Sequence, residues 1–185
     1  MESYDYGQEY AEAFTRTLSF GLDVPEQSQQ PGRFFQASQD PKLVSILSSV
    51  LGNIRPQDVS AQCFAIHHAI QPAIDLAYGT KSVLTLGWVH DPPCDFFRLS
   101  EQELASVVKN GISGPTLNLH CWLTLPTHEL LDCTLATTKA IADRKPENIG
   151  LAMAKHWSSF TGGLRYHPMV VGHHFLDKAG ILVGL

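Results

Sequence analysis

Basic residues are scarce in this sequence. Thirteen Lys and Arg stand against eighteen Asp and Glu in 185 residues, a net charge of -5, and no long basic block occurs. A nucleic-acid partner bound by phosphate neutralisation is therefore not expected. No run of about 18 apolar residues exists, so no membrane-spanning helix is expected either. A basic-then-apolar leader is also lacking: Met1 to Tyr10 is acidic and polar, which reads as a cytoplasmic start. The four cysteines, Cys63, Cys94, Cys121 and Cys133, form no CxxC pair. A structural zinc site of the usual spacing is unsupported, and in a chain of this size they read as free thiols. The nine histidines include the adjacent pairs His67-His68 and His173-His174, and His90 shares a loop with Cys94. Neither HExxH nor an i, i+4 histidine pair around an acid occurs, so no metal and no cofactor is expected.

What is present is an ordinary globular composition, 44% hydrophobic and 17% charged. Such a chain affords one domain and a normal core. Residues 2–19 predict a helix, with Tyr10, Phe14 and Leu18 at helical spacing. Residues 23–41, rich in Pro, Gln and Ser, read as an irregular arm that docks through Phe34 and Phe35. We therefore divide the chain into an N-terminal arm and helix, 1–40, and a single domain, 41–185.

Pro41 opens a second helix that Gly52 ends. A third, capped by Asp58 or Ser60, runs through Cys63, Ile66, Ile70 and Ile74 to Gly79, with Pro72 expected to kink or end it. Residues 82–89 predict a strand, 90–99 a loop, and Ser100 to Lys109 a capped helix. Residues 117–125 alternate: Leu119, Cys121, Leu123 and Leu125 face one way, and Asn118, His120, Trp122 and Thr124 the other. Pro126-Thr127-His128 is a turn, and Glu129 to Leu135 a returning strand. Residues 136–158 read as two helical pieces broken near Pro146, and 165–185 as a last strand and a tail. Helices first and an antiparallel sheet afterwards is an α+β order.

Three short segments carry the chemistry. Gln62-Cys63-Phe64 lies at a helix start, His120-Cys121-Trp122 on a strand, and Asp132-Cys133-Thr134 on the next strand. A thiol attacks a carbonyl as its thiolate, which a helix N-terminus and a nearby imidazole favour. Same-face residues of a hairpin lie roughly 4.5–8 Å apart. A register that sets Asp132 on the His120 face lets the carboxylate hold one imidazole nitrogen and aim the other at the thiol.

These segments resemble the catalytic blocks of the transglutaminase-like superfamily of papain-fold cysteine enzymes. Gln62-Cys63-Phe64 is similar to its nucleophile block, with Phe64 where tryptophan is commoner. His120 and Trp122 resemble its His-x-Trp block, and Asp132 and Thr134 its Asp-x-Thr block. The likeness covers residues 56–136. It implies a papain-like core with the nucleophile helix packed against an antiparallel sheet. It also implies a thiol hydrolase acting on an amide of a protein or peptide substrate, by glutamine deamidation or peptide cleavage. Cys63 would be the nucleophile, His120 the general base and acid, and Asp132 the orienter. The oxyanion would be met by the backbone N–H of Cys63 and by Gln57 or Gln62, with Trp122 beside the substrate. An acyltransferase with an amine acceptor, and a non-catalytic binding module, are the alternatives. Small stand-alone members include effectors delivered into a target cell by a specialised secretion system. A monomer is expected, with specificity in loops 90–99 and 111–116.

Overall fold

A computed structural model describes residues 4–35, 40–112, 114 and 117–181. Part of the 111–116 loop and the tail beyond 181 thus lie outside the described residues. The chain is α+β. In order come α1 (Tyr6–Ser19), α2 (Pro41–Leu51), α3 (Cys63–Tyr78), β1 (Val83–Asp91), β2 (Cys94–Phe96) and α4 (Glu101–Asn110). Then follow β3 (His120–Thr124), β4 (Glu129–Asp132), α5 (Leu135–Asp143), β5 (Met153–His156), β6 (Arg165–Val171) and α6 (His174–Ala179). Two compact units share these elements: the first takes the described residues of 1–26, 85–120 and 157–183, the second those of 27–84 and 121–156. Among the described residues no helix is long and apolar enough to cross a membrane.

In the first unit α1 packs on β6. Asp5 caps the helix, accepting from the N–H groups of Gly7 and Gln8 at 2.8 and 3.2 Å. Its buried stripe is Tyr6, Tyr10, Ala13 and Thr17, not the expected Tyr10, Phe14 and Leu18, and Leu18 is 57% exposed. The stripe is rotated because Thr17 is tied inward: its hydroxyl donates to Ala13 O at 2.7 Å and accepts from the N–H of Val171 at 3.0 Å. Two further side chains reach the same strand. Arg16 Nη1 donates to Met169 O at 2.9 Å, and the Tyr4 hydroxyl donates to Tyr166 O at 2.7 Å and accepts from Tyr166 N–H at 3.2 Å.

On its other side β6 pairs antiparallel with β1, which also pairs with β2. The loop expected over 90–99 is in part this β1–β2 hairpin, turning at Pro92-Pro93, whose peptide bond is cis. Its register sets His90 opposite Asp95, and His90 Nδ1 meets Asp95 Oδ1 at 2.7 Å. That cross-strand polar pair holds three residues as a strand that composition alone leaves as loop. Ser100 and Glu103 form a reciprocal capping box at the start of α4, as its sequence predicts.

In the second unit α2 and α3 pack together. Pro72 does not end α3, which continues to Tyr78. The proline brings no N–H to the helix, and burial of Ile66, Ile70 and Ile74 offsets that loss at about 1.5–3 kcal/mol per side chain. The cap expected from Asp58 or Ser60 is not made. Residues Pro56–Val59 form a 3-10 turn, Gln62 takes the cap position, and its side chain makes no cap hydrogen bond.

Strands β3, β4 and β5 form an antiparallel meander. Two expectations fail here. Strand β4 stops at Asp132 because that side chain turns the backbone into α5, and 153–156 is a strand rather than helix, paired with β4 from Glu129↔His156 to Asp132↔Met153. In the first unit, α6 likewise replaces part of the tail expected after the last strand.

The arm docks as expected, through backbone as well as rings. Glu129, fully buried on β4, accepts the N–H of Phe34 on Oε2 at 2.6 Å and that of Phe35 on Oε1 at 2.9 Å. The Phe35 ring stands edge-on to Tyr78, 5.4 Å between centroids.

Candidate functional site

Cys63 is the first residue of α3, 8% exposed, at the positive end of a 16-residue helix. All four cysteines are free thiols. Burial, and then the neighbouring Cys63 and Asp132, push the Cys121 thiol well above its ordinary range. Burial and Asp132 do the same to Cys133. Both therefore stay protonated at neutral pH and are poor nucleophiles. Cys94 is exposed on β2. Cys63 is thus the thiol that combines a helix start with near-complete burial, and it shares with Asp132 the electrostatic neighbourhood of Cys121.

Asp132, 2% exposed, ends β4. The β3–β4 register pairs Leu123 with Leu131 and Thr124 with Leu130. Asp132 itself pairs with Met153 of β5, and its Oδ1 stands 3.7 Å from His67 Nε2. Its Oδ1 accepts from the N–H groups of Thr134 and Leu135 at 2.9 and 3.1 Å and from the Thr134 hydroxyl at 3.3 Å. Three donors converging on one oxygen suit an ionised carboxylate.

His120 belongs to the first unit, whereas Cys63 and Asp132 belong to the second. It opens β3, is 2% exposed, and packs among aromatic rings: Phe97 stacks on it at 5.2 Å and 22°, and Tyr166 lies at 6.4 Å. The oxyanion candidates differ in placement. Gln62 holds the cap position of α3, where its carbonyl accepts from Ile66 N–H at 3.0 Å, while Gln57 is exposed on the 3-10 turn. Trp122 has no exposed surface and backs β3 rather than standing open to a ligand.

Sequence reasoning passed over His67 except as half of a metal pair. It is fully buried one turn into α3, with Nδ1 2.7 Å from Cys63 O and Nε2 3.0 Å from the backbone N of Cys133. Its spacing of four from Cys63 on one helix was the available signal.

A second feature, also unforeseen, is a groove of about 1090 Å3 in the first unit, between α1 and β6. Trp88 lines it, with the His167 ring flat on one face at 3.8 Å and the Arg98 guanidinium over the ring at 4.4 Å. His167 Nδ1 meets Glu9 at 2.8 Å. These residues lie far apart in the chain, and no spacing announces them. No family model, no curated protein and no solved structure matches this chain.

Proposed function

We propose that this protein is a thiol hydrolase of amide bonds, with a papain-like core of the transglutaminase-like kind. Cys63 is the nucleophile, His120 the general base and acid, and Asp132 the orienter. The observation that carries the reading is the place of Cys63 as the first residue of a 16-residue helix, where the helix N-terminus favours a thiolate, whereas burial keeps Cys121 and Cys133 protonated.

In the proposed reaction Cys63 Sγ gives its proton to His120 and bonds to the amide carbonyl carbon. The C–N bond breaks, and the leaving amine or ammonia takes the proton from the imidazolium. Water then attacks the thioester, returning a proton through His120 and releasing a carboxylate and the free thiol. The Cys63 N–H and a Gln62 or Gln57 amide meet the oxyanion. An amine in place of water would give the transferase. The substrate is a protein or peptide.

The test uses a glutamine-bearing protein, casein, with a dansylated alkylamine in parallel. Ammonia release or peptide cleavage that is lost in Cys63→Ala supports hydrolysis, and dansyl incorporation supports transfer. Activity that survives in Cys63→Ala ends the reading.

One observation favours the binding-module alternative, the groove lined by Trp88 and by charges of both signs. On that reading Cys63→Ala keeps the full cellular effect and Trp88→Ala loses it.

A further inference from the structure

Helix α3 begins with the proposed nucleophile, yet the Gln62 side chain at its cap position makes no cap hydrogen bond. Uncapped helix ends fray. A nucleophile on a fraying turn loses its aim, and roughly 1 Å of misplacement costs on the order of a hundredfold in rate.

We propose that His67 is the positioning residue for Cys63, a ring clamp on its backbone carbonyl; the proposal rests on the reading of Cys63 as nucleophile. The Cys63 carbonyl can only accept, so the His67 nitrogen 2.7 Å away, Nδ1, carries the proton. The Cys133 backbone N–H can only donate, so Nε2, 3.0 Å away, is the acceptor. The partners thus assign a neutral ring with its proton on Nδ1. Asp132 Oδ1 stands 3.7 Å from Nε2, too far for a hydrogen bond, and an unprotonated Nε2 makes no ion pair with it. One buried ring therefore ties the backbone of Cys63 to the residue next to Asp132. It fixes the first turn of α3 against the end of β4 without touching the reacting atoms.

The test reads iodoacetamide alkylation of Cys63 by mass spectrometry, with exposed Cys94 of the same molecule as internal reference. His67→Phe supplies neither hydrogen bond, His67→Asn replaces the donor and His67→Gln the acceptor. The Cys63-to-Cys94 ratio is expected to fall by about tenfold in His67→Phe, part of the loss that misplacement costs, and by less in the two amide variants. An unchanged or increased ratio in His67→Phe overturns the clamp. His120→Asn tests the catalytic reading separately. A ratio that falls in His67→Phe but not in His120→Asn keeps the clamp and removes the triad, and the reverse pattern removes the clamp and keeps the triad. Nitrogen-15 NMR of the wild-type protein supplies an independent check should His67→Phe not fold. A protonated Nδ1 with a bare Nε2 supports the clamp, and the opposite tautomer or an imidazolium overturns it.

Discussion

Asp132 accepts the backbone N–H of Leu135 at 3.1 Å, so the last residue of β4 caps the helix that follows it. The side chain proposed to orient His120 therefore also has a structural task, and the two separate by substitution. Asp132→Asn retains an acceptor oxygen for the cap but carries no charge. It should keep the melting temperature near wild type and lower the rate by orders of magnitude, about four in the comparable serine triad. Asp132→Ala should lose the rate and also about 1 kcal/mol of stability. Thermal melts alongside a casein assay check both, and an active Asp132→Asn would remove Asp132 from the mechanism.

Cys63→Ala removes one sulfur atom from the start of α3, and its hydrogen bond to His67 runs through the backbone carbonyl. It should abolish activity and leave the melting temperature almost unchanged. Leu123→Ala should do the reverse. Leu123 is fully buried on β3, and its truncation should cost about 2–5 kcal/mol while the folded fraction keeps its chemistry.

Much of this pattern was legible in the sequence. The helix starts at Pro41 and Ser100 rest on local rules of capping, which a short stretch carries alone, whereas β3 is shorter than the expected 117–125 and buried on both faces. The failures came where distant residues decide. Asp132 bends the chain into α5 after four strand residues, β5 forms because β4 offers it an edge, and Thr17 turns α1 so that Leu18 faces water. His67 offered only its spacing of four from Cys63, because its second contact is Cys133, sixty-six positions away.

Glu129 holds the arm by its backbone, accepting from Phe34 and Phe35, and it also accepts from the Thr127 hydroxyl at 2.5 Å. Hydrogen bonds to a charged group contribute about 1.5–3 kcal/mol each. Glu129→Ala should therefore destabilise the fold and release the arm. Limited trypsin digestion should then cut after the exposed Arg33 under conditions that leave the wild type intact. Equal digestion of the two proteins would mean that the rings, not the carboxylate, hold the arm.

His156, the β5 partner of Glu129, has its pKa lowered, by burial first and then by Arg33 and His128, with Glu129 opposing. Below its ordinary value near 6.5 the unfolded chain binds the proton more readily than the folded one. Stability therefore rises with pH in that window, and the contribution is lost as pH falls from about 6.5 through the folded pKa. Urea unfolding midpoints should drop on mild acidification, and His156→Gln should flatten the slope there. An identical slope in the variant would assign the acid sensitivity to other groups.

The outer edge of β6 is covered rather than paired. Tyr4, Arg16 and Thr17 take up the N–H or C=O groups of Tyr166, Met169 and Val171 that another strand would otherwise claim. Without α1 that row becomes a template, ready to accept a strand from a second molecule. Tyr4 and the N-terminal helix thus occupy an edge that would otherwise stand open, and their loss should favour strand exchange between copies.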